Sequence, residues 1–192
     1  MSPILGIYAS QISGHLVTNN YSSIATQTVG SGGASSITFS SIPSTYTHLQ
    51  IRIAAQTNRG TYGIDDLKIF INSDTGNNYS FHDLWGDGGT AGAASATSAG
   101  RIETYRTLGT TAGGSFGVSI LDILDYANTN KYKTTRLLGG VDLNGTLAGY
   151  GGAVDLNSGL WMNTAVVNTL TFSPAAGTAF TQYSSFALYG VR

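Results

Sequence analysis

Glycine punctuation constrains this chain more than any other feature. There are 26 glycines along 192 residues, with no collagen-like period and only 3 prolines. Uninterrupted runs are therefore short, and each becomes an element of a few residues. The runs between are rich in Thr, Ile, Val, Tyr and Phe, and several alternate apolar and polar residues at period two, which marks half-buried strands. Ile37 and Phe39 fall on one face of such a run, and Leu49, Ile51 and Ile53 on one face of the next, with a Pro43-Ser44 turn between them. Residues 67–71 read as a strand stopped by the turn formers of residues 72–77.

Further strands are expected at 79–84, 101–108, 131–143, 165–172 and 183–191. Residues 116–126 are apolar on both sides and predict a central strand; a helix over 120–126 is the competing reading, and the flanking glycines and β-branched residues favour the strand. No window carries a helical apolar stripe longer than two turns. The expected fold is all-β: a two-sheet antiparallel sandwich of roughly nine or ten strands, with a jelly roll as its arrangement. An immunoglobulin-like sandwich fits less well, being usually nearer about 100 residues.

Two segments depart from the pattern. Residues 86–100 are nearly all Gly, Ala, Ser and Thr and read as a low-complexity loop with no core-forming residue. Residues 1–20 read as an arm outside a single sandwich domain of residues 21–192, because Ile4, Leu5, Ile7, Tyr8, Ile12, Leu16 and Val17 precede the regular strands. Such an arm either packs on its own domain or docks on a neighbouring subunit. The N-terminal stretch has no basic leader region and too short an apolar run for a signal peptide, and nowhere is there an apolar run of membrane-spanning length.

Charge bears on partners. Only 10% of residues are charged, where soluble domains carry roughly 25%. Ser, Thr, Asn and Gly take their place. This composition suits a protein held in an assembly better than a lone monomer kept soluble by charge. The net charge of −1 gives no electrostatic footprint for nucleic acid or an anionic membrane, and with no cysteine the redox compartment stays open.

The chemistry-bearing residues are sparse, so no catalytic residue, metal or cofactor is assigned. His15, His48 and His82 are scattered, and no nucleophile elbow, zinc-protease motif or phosphate loop occurs. The acids (Asp65, Asp66, Asp74, Asp83, Asp87, Asp122, Asp125, Asp142, Asp155 and Glu103) fall mostly at predicted turns, and a polysaccharide-cleaving carboxylate pair has no positive support. Asn72, Asp74, Gly76 and Asn78 have the rhythm of a calcium loop without its glutamate. His82, Asp83 and Asp87 offer ligands and nothing more. Turn and strand-end chemistry accounts for both groups. With no evident buried acid pair, the oligomer is expected to change little between about pH 6 and 8. Trp85, before the low-complexity segment, and Trp161 are candidates for ligand or interface contact, with packing the commoner fate of such rings.

Taken together, several stretches resemble a family of small β proteins of tailed bacteriophages and prophages. They are residues 28–39, Ile42-Pro43, residues 46–52, residues 71–79, residues 123–134 and the closing Ser184-Ser185-Phe186-Ala187-Leu188-Tyr189-Gly190-Val191, with a similar leader at residues 4–11. The resemblance implies a non-enzymatic virion structural protein, either a tail-fibre or appendage module or a capsid decoration protein, with no catalytic residue to carry over. It implies a homo-oligomer, with a trimer favoured over a dimer, attached to other virion proteins through the arm. A receptor-binding tip that recognises a host surface glycan or protein is the alternative, and a polysaccharide-degrading enzyme the third reading.

Overall fold

The computed structural model describes residues 20–147 and 150–192. The arm residues Ile4, Leu5, Ile7, Tyr8, Ile12 and Leu16 lie outside them. Among the described residues there is no helix, hence none long and apolar enough to cross a membrane. The strands are β1 (Tyr21–Thr28), β2 (Ile37–Phe39), β3 (His48–Thr57), β4 (Ile64–Ile71), β5 (Tyr79–Gly86), β6 (Ala91–Ala99), β7 (Ile102–Thr110), β8 (Gly117–Leu124), β9 (Lys133–Leu147), β10 (Tyr150–Trp161), β11 (Leu170–Pro174) and β12 (Ser185–Val191).

They form two antiparallel layers. The larger runs β1-β12-β3-β8-β9-β10-β5-β6, and the smaller β2-β11-β4-β7. β3 belongs to both: residues up to Ala55 pair with β8, and then Gln56 and Thr57 pair in parallel with Gly109 and Thr110 of β7. Between the layers, Leu49, Ile51, Leu121, Leu137 and Leu188 of the large sheet meet Leu67, Ile69, Ile71, Ile102 and Phe172 of the small one. Phe172 packs on Phe186 across the layers at 5.6 Å between centroids, and Phe180 meets Phe186 edge-on at 4.9 Å. Ile37, Phe39, Leu49, Ile51 and Ile53 are all buried, as their alternation predicts.

Three expectations need correction. Residues 86–100 are not a loop: residues 91–99 form β6, paired along β5 from Gly86↔Ala91 to Tyr79↔Ala99. Small side chains are needed there because a Cβ on Gly92 would sit 2.2 Å from the Trp85 ring. β8 is a strand, but only one side of it is buried; Val118, Ile120 and Leu124 face out. Of residues 165–172, only the part from Leu170 is strand, and Val167 is instead buried in an irregular stretch whose amide donates to the Tyr126 carbonyl.

The stretch 123–134 turns out to be a structural clasp. Lys133 is fully buried and donates its ammonium to three carbonyls, those of Asn128, Lys131 and Thr164. The Tyr126 hydroxyl donates to the Pro43 carbonyl, and the Asp125 amide to His48 Nδ1. Burial draws the Lys133 pKa down, aided by the neighbouring Lys131 charge.

Candidate functional site

The large sheet turns one face to the core, and its other face is unusually apolar. Strand pairing lines up one row across five strands, Arg52↔Ile120↔Leu138↔Leu156↔Leu84, ending on Ala93 of β6. The adjacent row is Val118↔Gly140↔Val154↔Gly86. The six large members of the two rows, Leu84, Val118, Ile120, Leu138, Val154 and Leu156, are between 45% and 64% exposed. Val118, Ile120, Leu138 and Val154 floor an open groove of about 1170 Å³, with Arg52, Asp87, Asp142 and Phe116 around it. A smaller groove of about 320 Å³ continues it past Leu84 and Leu156 to Trp85. On the other flank the face becomes polar, with Gln50, Asp122 and Arg136 in register and Arg136 Nη2 3.2 Å from Asp122 Oδ2.

Glycine at 140 lets β9 lie close against β10. A Cβ on Gly140 would lie 2.4 Å from the Ala153 carbonyl oxygen. Aliphatic branches dominate the floor, and no tyrosine or tryptophan lies along the larger groove. Sugar rings need flat stacking partners and hydrogen-bonding groups, so this surface suits protein better than glycan.

The two tryptophans part company. Trp161 is 1% exposed and donates Nε1–H to Asp74 Oδ2 at 2.8 Å, so it is a core residue and its candidacy for ligand contact is withdrawn. That bond is the main cause of the lowered Asp74 pKa. The same carboxylate accepts from the Gly76 amide and Asn78 Nδ2, so N–H groups occupy the supposed calcium loop. Trp85, opposite Asp155 and so on the inward side of β5, is half-buried near the sheet's edge, with the Arg106 guanidinium 3.6 Å over its ring and Asp87 3.3 Å from Arg106 Nη1. His82 and Asp83 point to opposite faces of β5, which rules out a shared ligand.

Opposite that face, inside the sandwich, lies what the sequence reading missed. Asp83 of β5 and Asp155 of β10 both point inward, 3% and 1% exposed, with Asn157 fully buried beside them. Asp83 stands opposite Asn157, and Asp155 opposite Trp85, so the two aspartates are diagonal neighbours. Asn157 Nδ2 donates to Asp83 Oδ1 at 2.7 Å and to the Glu103 carbonyl at 3.0 Å. A bulge opposite β4 turns Arg106 to a φ of 57° and carries the Tyr105 amide toward both carboxyls.

Burial drives this pair's titration upward, and the Asp83 charge adds to it for Asp155; together they titrate at about 6 and about 8. Asp66, on the other side of the bulge, is also raised by burial, while its bond from the Arg106 amide opposes the shift. Two carboxyls with raised pKa are what glycoside hydrolysis uses. These lie between the sheets, out of reach of a polymer, and the arrangement supports no reaction on an external substrate.

Comparison with known proteins gives no family. No family model matches the chain, and no curated protein matches it. Among solved structures it is similar to an exo-inulinase from Aspergillus awamori, at 10% identity and a TM-score of 0.34, over 90% of this chain and 29% of that one. It is likewise similar to the alginate lyase Aly36B in complex with alginate tetrasaccharide, at 11% identity and a TM-score of 0.31, over 90% of this chain and 98% of that one. A third is the Ruminococcus gnavus IT-sialidase CBM40 bound to α2,3-sialyllactose, at 11% identity and a TM-score of 0.25, over 89% and 95% of the two chains. The chain spans about a third of the length of the exo-inulinase and of a fructofuranosidase from Schwanniomyces occidentalis. Likenesses this low transfer no activity.

Proposed function

We propose that this chain is a non-enzymatic structural module of a bacteriophage virion, an appendage or capsid decoration unit that self-associates through the outer face of its large sheet. The observation that carries the self-association is the pair of aliphatic rows across β8, β9, β10 and β5, six large side chains left about half exposed on a grooved face. Contiguous apolar patches of this kind mark interaction sites, whereas scattered surface leucines do not. A second copy is the occupant best suited to the face. The net charge of −1 sets up almost no repulsion between copies, and the Asp122–Arg136 pair at its border offers both signs to an identical partner.

Assignment to a virion rests on the resemblance of residues 28–39, 42–43, 46–52, 71–79, 123–134 and 184–191 to tailed-phage β proteins. The low charge supports it as well. We read the strand order as a jelly roll in which the β8-β9-β10 meander stands where one strand is usual. A trimer attached through the apolar residues 4–17 completes the proposal.

Light scattering on the size-eluted protein tests the self-association. The wild type is expected to elute as an oligomer, and the double variant Leu138→Asp/Leu156→Asp as a folded monomer. A monomeric wild type, or an oligomer that survives both charges, refutes it. For the attachment, a chain lacking residues 2–16 is expected to fold and not to join particles, and its incorporation would refute the anchor.

One observation favours a receptor-contact reading. Trp85 stays half-exposed near the edge of the sandwich, on the inward side of β5, beside Arg106 and Asp87. Binding on a glycan array that disappears with Trp85→Ala, in a protein that stays folded, would shift the assignment to a receptor-binding tip.

A further inference from the structure

The pocket around Asp83 and Asp155 leaves four buried side-chain oxygens without a hydrogen-bond partner: Asp83 Oδ2, both oxygens of Asp155, and Asn157 Oδ1. They belong to three side chains at most 3% exposed, on one face of two paired strands. Buried polar atoms are rarely left unpaired, because each such atom costs free energy that folding has to recover elsewhere. Four on three neighbouring side chains, all acceptors, indicate a missing electrophile.

A proton is the smallest candidate. Shared between the carboxyls, it serves Asp83 Oδ2 and one oxygen of Asp155. Asn157 Oδ1 still lacks a partner, and a net negative charge stays buried with only the Tyr105 amide directed at it. The amide cannot be turned to help, since its nitrogen already donates to Asp83 Oδ1 and the Glu103 carbonyl.

We propose that Asp83, Asp155 and Asn157 form a calcium site between the two sheets. A divalent cation neutralises both carboxylates and accepts all four orphan oxygens. The donor set is oxygen only, with no histidine or cysteine, which selects hard cations over zinc or copper. Magnesium holds on to several waters in a strict octahedron, for which a pocket this buried has little room, while calcium takes carboxylate, amide and backbone oxygens in irregular numbers. The Glu103 carbonyl, reached by the same amide, is a further oxygen at the spot. Among the described residues no three His, Cys, Asp or Glu side chains group as metal ligands; the set here is two carboxylates and an amide. The site lies away from the outer face and is independent of the assembly reading.

The test uses the whole chain, stripped with EDTA and returned to pH 7.5. Adding Ca2+ is expected to raise the melting temperature by roughly 5–10 °C once it exceeds its Kd a hundredfold. One calcium per chain should survive gel filtration, and Mg2+ at equal concentration should shift melting far less. Asp155→Asn should abolish the response. If that variant fails to fold, Tb3+ emission sensitised by Tyr105 and Trp85 in the wild type, displaced by Ca2+, serves instead. Melting that ignores Ca2+ overturns the proposal and leaves a shared proton as the occupant. An equal response to Mg2+ overturns the choice of calcium.

Discussion

Truncating Leu138 to alanine measures the outer face directly. Leu138 is 61% exposed and sits mid-row, flanked across the strands by Ile120 and Leu156. Full burial of a leucine side chain is worth about 1.5–3 kcal/mol. About three-fifths of that surface remains for a partner to cover, so the truncation forfeits about 1–2 kcal/mol of association. At about 1.4 kcal/mol per factor of ten, self-association weakens roughly 5- to 30-fold. Each copy contributes its own Leu138, so in a symmetric interface the loss per contact approaches the upper end. Folding should hardly notice, since exposed positions shift stability by within about 0.5 kcal/mol. Sedimentation velocity over a concentration series reads the association, and urea unfolding of the dissociated protein reads the fold. An unchanged association constant would show that no copy covers the row. A loss of fold stability equal to the loss of association would show that Leu138 belongs to the core after all.

Other expectations follow from the buried groups. In cation-free buffer, stability should fall between about pH 5 and 8, because Asp83 and Asp155, at about 6 and about 8, keep protons that the unfolded chain gives up near its ordinary carboxylate value. The folded state binds more protons there, so its advantage is complete at low pH and lost as pH rises; Asp83→Asn/Asp155→Asn should flatten the slope, and an unchanged slope would contradict the assignment. The expectation that the oligomer changes little between about pH 6 and 8 assumed no buried acid pair, and Asp83 and Asp155 form one. Lys133→Met should destabilise by about 3 kcal/mol or more, since three carbonyls lose their donor; a denaturation midpoint like the wild type's would refute the clasp. Trp161→Phe should cost about 1–2 kcal/mol and raise the Asp74 pKa toward its ordinary value, followed by carboxyl NMR; an unmoved resonance would argue against that hydrogen bond. Capsule polysaccharide or lipopolysaccharide incubated with excess protein should yield no new reducing ends, and their appearance would reinstate catalysis.

The sheet cores were legible because period two is loud wherever the buried side is apolar. Ile37, Phe39, Leu49, Ile51 and Ile53 announce themselves. β10 hides, because its alternation is inverted: Asp155 and Asn157 point inward while Val154 and Leu156 point out, so hydrophobicity names the wrong face. β5 does the same at Asp83 and Leu84. The signal was present, since a Val-Asp-Leu-Asn run in a strand must set both polar residues on one face. β8 misleads in the opposite sense, its two apolar sides reading as full burial when one is an open surface. β6 carries no hydrophobic signal at all, being held by backbone pairing and by the space its small residues leave for Trp85. Asp74, in a turn by sequence, and Lys133, near the start of an expected strand, take their roles from Trp161 and Thr164, whose approach no local pattern announces.

That β3 enters both layers has a mechanical consequence. Its first part is flanked by β12 and β8, and its last two residues grip β7. A pull that tries to peel one layer from the other therefore loads covalent backbone at this strand, and the hydrogen bonds beside it must shear together instead of parting one at a time. A unit built this way resists delamination, a useful trait for anything fixed to a hard shell in moving fluid.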